Sequence, residues 1–171
     1  MILIDPELKA ELTQAAGRTP SLRSLNLFLA AAQSAIRLKG EVSVLLTTDT
    51  NQRALNRRFR RKNKTTDVLS FPASSDPEFA ANKISGDLSI SLPVARLQAA
   101  EQGHSLLTEL KILILHGLLH LAGDDHESDS GQMAEKEELL RAKLKLPVGL
   151  IARVEGQAVK LASKTRRSRR S

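Results

Sequence analysis

The hydrophobic positions along the chain predict a small β-sheet flanked by helices. Short stretches rich in β-branched residues and bounded by turn residues are typical of strands. They lie at residues 41–47, 67–72 and 84–91, and we expect residues 2–4 to add a fourth. Elsewhere apolar residues recur at helical spacing, between capping residues and glycines that mark the ends of helices. This second pattern predicts helices over 21–39, 49–60, 93–103 and 128–144.

One further helix is apolar on nearly every face. It runs from Leu106 to Ala122, follows the capping residue Ser105 and ends before Gly123. A helix without a polar face has to be surrounded by other elements. The sequence therefore predicts an α+β fold, with a small mixed sheet of about four strands packed with helices and with this helix buried at its centre.

Length and composition limit the organisation of the chain. A chain of 171 residues with no internal repeat predicts a single domain, which we place over 1–155. Residues 156–171 are basic and have little to bury, so we expect a disordered tail. No secretory signal and no apolar stretch long enough to span a membrane is visible. We therefore expect a cytoplasmic protein without a membrane partner.

The residue types that are missing exclude several kinds of chemistry. The chain has no Cys, which excludes disulfides, thiolate catalysis and zinc or iron–sulfur sites built on cysteine. It has no Trp or Tyr and four Phe, which argues against an aromatic base-stacking platform of the RNA-recognition-motif type. A transition metal would have to be bound by His, Asp or Glu.

The positive charge is concentrated in two segments. The net charge is +7, with seven basic residues and no acidic ones over 52–66 and six basic residues and no acidic ones over 160–171. Such asymmetry is typical of proteins that bind a polyanion. A solvated helix face is the alternative for each segment. In the first segment the candidate RNA contacts are Arg57, Arg58, Arg61, Lys62 and Lys64.

Three of the four histidines fall within eleven residues. His116 and His120 are four residues apart on the apolar helix, so they share one face and both rings can reach one ion. Gly123 ends the helix and allows the chain to bring His126 to the same point. Three imidazoles and one open position are typical of a catalytic zinc site. We expect one divalent metal per chain, with zinc as the favoured ion, rather than histidines that are only core residues.

The spacing of these histidines matches the metal-binding scaffold of metzincin proteases. In those enzymes a Glu follows the first His and acts as the general base. Gly117 stands at that position here and has no group that accepts a proton. Peptide hydrolysis by that mechanism is therefore not expected.

Together with two further blocks, this segment resembles the YbeY family of endoribonucleases that process bacterial ribosomal RNA. The blocks are residues 55–62 with 66–72, and residues 86–90, and Met133 and Glu137 agree more weakly. The likeness runs from about residue 41 to residue 146. It implies a small mixed sheet with helices packed around it, and a zinc ion bound by His116, His120 and His126.

The activity implied by the resemblance is a metal-dependent endoribonuclease specific for single-stranded RNA. It would act in maturation of the 3′ end of 16S ribosomal RNA and in ribosome quality control. Its partners would be ribosomal RNA and the small ribosomal subunit or its proteins, and it would need no small organic cofactor. Zinc can polarise a phosphoryl oxygen and acidify water. The attacking group, water or the 2′-hydroxyl of the RNA, stays open.

The resemblance also assigns roles to single residues. Arg60 matches an arginine that is functionally important in the family, and its guanidinium can bind a phosphate and stabilise transition-state charge. We expect Asp67 and Asp87 to shape the cleft, by capping turns or by fixing a histidine tautomer. Asp125 is a candidate for accepting a hydrogen bond from a metal-binding histidine, or for acting as a base. Asp124 stands where the family usually has Tyr.

Two other functions compete with this one. The chain would be a non-catalytic ribosome-assembly factor if its metal were structural and its basic segment only docked RNA. The open fourth position of a three-histidine site argues against this, because structural zinc is normally bound by four protein ligands. The chain would instead be a metallohydrolase for another substrate if the basic segments had no part in binding. Gly117 and these segments argue against that alternative.

Overall fold

Four strands and six helices make up the part of the chain that the computed structural model describes, residues 1–14, 20–73, 84–124 and 131–147. They confirm the predicted α+β class. In chain order they are β1 (Ile2–Ile4), α1 (Pro6–Gln14), α2 (Leu22–Ile36), β2 (Glu41–Thr47), α3 (Asp49–Arg60), β3 (Val68–Pro72), β4 (Ile84–Ser91), α4 (Leu92–Gln102), α5 (Leu106–Leu121) and α6 (Gln132–Lys143). The predicted tail and the end of the predicted domain lie outside the described residues.

Side-chain caps explain why most helices begin where the sequence predicts. The hydroxyl groups of Ser21, Thr48 and Ser105 each accept a hydrogen bond from a backbone N–H in the first turn that follows. Helix α1 was not predicted, because few apolar residues mark it; among its described side chains, residues 6–10, Leu8 is the one in the buried core. The sequence signal for the start of α1 lies in adjacent residues. Asp5 accepts a hydrogen bond from the Glu7 N–H at 2.9 Å, and Pro6 occupies the first helical position.

The sheet is mixed and has the strand order β1-β2-β4-β3. Strands β1, β2 and β4 run parallel, and β3 pairs antiparallel with β4 at one edge. Side chains alternate between the two faces of a sheet. Val44, Leu46, Leu88 and Ile90 share one face, and all are at most 1% exposed. Helices α2 and α5 cover that face and complete the hydrophobic core.

Helix α5 is the buried central helix that the sequence predicts, and a glycine lets it approach the sheet closely. A Cβ at Gly117 would lie 2.8 Å from Leu88 Cδ2. Position 117 therefore faces the sheet rather than solvent, and it has no room for a carboxylate. A second close approach lies at Gly86, where φ is +145° and a Cβ would lie 2.4 Å from the Phe71 carbonyl oxygen.

The opposite face of the sheet is polar and packs against α3. Gln52 of α3 is buried, donates to the Ser89 carbonyl oxygen at 3.0 Å and accepts from the Ser89 hydroxyl at 2.6 Å. These bonds satisfy groups that would otherwise be costly to bury. They fix α3 on the sheet, so that its basic C-terminal end lies near edge strand β3. None of the helices in the described ranges has both the length and the apolar character needed to cross a membrane.

Candidate functional site

His116 and His120 lie together in the last two turns of α5, as their spacing predicts. Their rings meet edge to face, with centroids 4.8 Å apart and planes at 80°. The two Nε2 atoms are 3.1 Å apart. Both residues are half-buried at the end of an otherwise buried helix. Two imidazole nitrogens therefore point at one place near the surface.

A buried ion pair on α6 orients His116. The Nδ1 atom of His116 is 2.9 Å from Glu137 Oε2. The other carboxylate oxygen of Glu137 accepts hydrogen bonds from Nε and Nη2 of Arg141, at 2.8 and 2.6 Å. Arg141 also donates to the Pro147 carbonyl oxygen at 2.9 Å. Glu137 and Arg141 are each about 1% exposed, so this chain of contacts is shielded from water.

The electrostatics of Glu137 support its role as the acceptor from His116. Burial alone would raise the pKa of the Glu137 carboxyl. The hydrogen bond from His116 and the charges of His116 and Arg141 outweigh burial and lower the pKa below its ordinary value. The ionised carboxylate accepts from Nδ1 of His116, so in the neutral imidazole that a metal binds the Nε2 lone pair would be the one available.

These residues fit a divalent metal. Zinc binds imidazole nitrogen at about 2.0–2.1 Å, which puts two ligands of a tetrahedral site about 3.3 Å apart. The observed Nε2–Nε2 distance of 3.1 Å is close to that value. A carboxylate on the far nitrogen of a ligating histidine is a common feature of zinc sites. His116 and His120 would be the ligands that α5 provides.

The predicted third ligand, His126, and the candidate Asp125 lie outside the described residues. Across the described ranges no group of three or more His, Cys, Asp or Glu side chains is placed to hold a metal ion. A complete site would therefore need a ligand from elsewhere in the chain, and His126 stays a prediction. Asp124, just before them, forms an ion pair with Lys136 of α6 at 2.6 Å. This pair links the residue that follows the end of α5 to α6.

Arg60 is linked to the histidine end of α5 through edge strand β3. Its Nη2 atom donates to the Ser70 carbonyl oxygen at 3.2 Å. The Ser70 hydroxyl in turn donates to the carbonyl oxygen of Gly117, the residue after His116, at 3.3 Å. The Arg60 side chain is exposed. A guanidinium that is accessible and held at this edge is suited to bind a phosphate there.

The predicted RNA contacts form an exposed basic surface at the end of α3. Arg57 and Arg58 lie in the last turn of the helix, and Arg61 ends it in the left-handed conformation, with φ of 57°. Lys62 and Lys64 follow in the connection to β3. All five side chains are exposed, so they are accessible to a polyanion.

Asp67 and Asp87 are bonded or oriented away from the two histidines. One Asp67 oxygen accepts from the Val68 N–H at 2.8 Å, and the other accepts from the Gln98 side chain at 2.9 Å. Asp67 thus ties the start of β3 to α4. Asp87 is exposed and pairs with Phe71 on the face of the sheet that packs against α3. Among the described residues, Glu137 is a carboxylate that contacts a histidine of α5.

Sequence reasoning missed Ser70 and Arg141 and gave Glu137 only a weak role. A signal for the α6 pair exists in the sequence. Met133, Glu137 and Arg141 follow one another at intervals of four residues, so two charged residues continue a stripe that begins with a buried Met. Charged residues on a buried stripe are normally paired. Ser70 has no comparable signal, because its contact with Gly117 spans 47 residues.

Comparison with known proteins gives the family. The family described as Endoribonuclease YbeY matches residues 11–145. The Endoribonuclease YbeY of Koribacter versatilis is 53% identical over 147 residues, which cover 86% of this chain and 93% of the relative. This chain belongs to the YbeY family. The YbeY protein of Solibacter usitatus is 52% identical over 125 residues, covering 70% of this chain and 80% of the relative. The resemblance found in the sequence is thereby confirmed.

A solved structure shares the fold of this YbeY chain. The solution structure of TM1509 from Thermotoga maritima matches with a TM-score of 0.53 at 24% identity. The match covers 84% of this chain and 89% of that one. At this identity the likeness concerns the fold alone.

Proposed function

We propose that this protein is a metal-dependent endoribonuclease that cleaves single-stranded RNA. In the cell it would act in maturation of the 3′ end of 16S ribosomal RNA and in ribosome quality control. It would work in the cytoplasm on the small ribosomal subunit or its precursors. Membership of the YbeY family supports a nuclease that acts on RNA.

The observation that carries the proposal is the orientation of His116. Glu137 holds Nδ1, so Nε2 is directed at His120 Nε2, 3.1 Å away. Two ring nitrogens placed in this way are suited to bind one metal ion between them. When bound, a divalent metal such as zinc supplies Lewis-acid chemistry at a phosphate. His116, His120 and the predicted His126 would hold it.

The remaining residues of the site contact different phosphates of the substrate. Arg60 binds the scissile phosphate from the β3 edge and stabilises the charge that develops on it. The five exposed cations at the end of α3 bind neighbouring phosphates and keep the strand on the surface. Gly117 is packed on Leu88 and provides no general base. This favours phosphodiester cleavage over a peptidase of the metzincin type.

Cleavage assays on the full chain test the proposal. Labelled single-stranded RNA and the matching duplex are incubated with the protein as purified, after chelation, and after zinc is added back. We expect cleavage of the single strand only, loss of cleavage with chelator and recovery with zinc. A 2′,3′-cyclic phosphate on the product would show attack by the 2′-hydroxyl, and a linear phosphate would show attack by water.

A matched pair of variants separates the metal site from general damage to the fold. His120→Ala should abolish cleavage, and Leu139→Ala, at an exposed position of α6, should leave it unchanged. Chelator-resistant cleavage would contradict the proposal. RNA binding with no cleavage under any metal condition would favour the assembly-factor alternative, in which the basic surface only docks RNA.

A further inference from the structure

Phe59 is an exposed aromatic residue in the last turn of α3, between Arg58 and Arg60. Its side chain is 55% exposed, which is unusual for the most apolar of the ring side chains. The chain has four Phe and no Trp or Tyr, so large rings are scarce in it. Packing of the core therefore does not explain why an aromatic ring lies on the basic surface.

The ring of Phe59 is held from one side and accessible from another. It meets the half-buried ring of Phe71 edge to face, with centroids 5.1 Å apart and planes at 71°. Arg58 places its guanidinium 5.2 Å from the centre of the Phe59 ring. A flat cationic group thus already lies over this ring. Aromatic rings and guanidinium planes are the two surfaces on which unpaired bases stack in RNA-binding proteins.

The position of the ring relates it to the proposed phosphate site. Phe59 and Arg60 are neighbours on α3, and the residues that they contact, Phe71 and Ser70, are neighbours on β3. An aromatic ring and the guanidinium proposed to bind a phosphate therefore lie side by side along one edge of the sheet. A nucleotide needs this combination of contacts, one for its base and one for its phosphate.

We propose that Phe59, together with Arg58, stacks an unpaired nucleobase of the RNA strand next to the phosphate bound by Arg60. This inference rests on the proposed function and adds a binding site for the base. It gives a physical source for single-strand preference, because a base in a duplex is already stacked and paired. The surrounding cations favour RNA over an apolar protein segment as the occupant.

A fluorescence experiment tests this stacking directly. Because the chain has no Trp or Tyr, Phe59→Trp introduces a single reporter on the proposed platform. We expect single-stranded RNA to quench its emission, and duplex RNA of the same sequence to leave the emission nearly unchanged. Leu27→Trp is the control, since Leu27 is 66% exposed on α2, on the other side of the sheet. Equal quenching of both reporters, or none at position 59, would overturn the proposal.

Affinity measurements with altered RNA identify the group that Phe59 contacts. Stacking of one base contributes about 1–3 kcal/mol, so Phe59→Ala should weaken binding of single-stranded RNA about 5- to 150-fold. Phe59→Leu should recover little of it, and Leu27→Ala should bind like wild type. The loss should disappear on an abasic strand, which keeps the phosphates. An equal loss on abasic RNA would overturn base stacking.

The outcomes for this site and for the proposed function are distinguishable. If wild type binds and cleaves single-stranded RNA with metal dependence and Phe59→Ala and Phe59→Leu match it, only the base site is wrong. If wild type neither binds nor cleaves RNA, both proposals are wrong. Thermal melting checks that Phe59→Ala is folded, and the Phe59→Trp reporter decides the matter if it is not.

Discussion

Helix α5 has a histidine–carboxylate pair at each end, and the two pairs are built differently. At its start, His104 Nε2 lies 2.5 Å from an oxygen of Glu109, five residues further on. Near its end, His116 contacts Glu137 through Nδ1 rather than Nε2, and the carboxylate comes from α6. Both carboxylates are buried. The same two residue types thus meet in opposite orientations.

The difference shows why only one pair is suited to hold a metal. In the first pair the carboxylate occupies Nε2, and Glu109 lies in the first turn, where a negative charge stabilises the helix dipole. In the second pair the carboxylate occupies Nδ1, and Nε2 is directed at a second imidazole. The first arrangement serves the fold. In the second, Glu137 is held by the buried Arg141 and leaves Nε2 of His116 directed at His120, as a metal ligand would be.

Replacing the proposed ligands should have the largest effect on metal content and should distinguish the two histidine–carboxylate pairs most clearly. We expect wild type to bind one divalent metal per chain and His116→Ala/His120→Ala to bind none, because both ligands that α5 provides are lost. His104→Ala should keep the metal. Metal analysis of the purified proteins measures this. Full metal occupancy in the double variant would show that His116 and His120 do not bind the metal.

Changing the carboxylates of Glu137 and Glu109 should have an intermediate effect on the affinity for metal. Glu137→Gln keeps the size of the side chain but weakens the acceptor that fixes His116, and loss of such an acceptor typically costs about 10- to 100-fold in metal affinity. Glu109→Gln should leave the affinity unchanged. Competition titrations with a zinc-binding dye give both values. Equal losses in the two variants would mean that these carboxylates act only on the stability of the fold.

The smallest expected effect is that of Glu137→Gln on the free energy of unfolding at acid pH. The pKa of Glu137 is lower in the folded protein than its ordinary value of 4.5, so ionisation favours folding. Its contribution is present above that value and is lost as the pH falls through the lowered pKa. In metal-free protein, the gap in unfolding free energy between wild type and Glu137→Gln should narrow as the pH falls below 4.5. Urea unfolding at several pH values checks this, and a gap that widens towards acid pH would contradict it.

Local patterns account for most of what the sequence predicts correctly. The strands at 41–47 and 84–91 have the predicted bounds, because alternation and capping are properties of adjacent residues. The pairing of His116 with His120 follows from helix geometry alone. In contrast, the contact between His116 and Glu137 spans 21 residues and depends on how α6 packs on α5.

For Arg60, both the sequence and the tertiary structure are needed. Its residue type and place in a basic helix end are visible in the sequence, and the resemblance to a family singles it out. Its link to α5 through Ser70 and Gly117 depends on the position of edge strand β3, which local patterns do not give. Helix α1 is the opposite case, since Asp5 and Pro6 signal its start but too few apolar residues follow to form a stripe.

The central claim, that the histidine end of α5 and Arg60 form one site for cleaving RNA, is tested most directly by kinetics at Arg60. Single-turnover cleavage and RNA affinity are measured for wild type, Arg60→Ala, Arg60→Lys and the neighbouring control Arg57→Ala. We expect Arg60→Ala to slow cleavage about 100-fold or more while affinity falls much less, because a guanidinium at the scissile phosphate acts mainly in the transition state. Arg60→Lys should recover little, since an ammonium group lacks the planar pair of donors. Small, equal losses of rate and affinity in Arg60→Ala and Arg57→Ala, with full recovery by Lys, would contradict the claim and leave Arg60 as one docking charge among several.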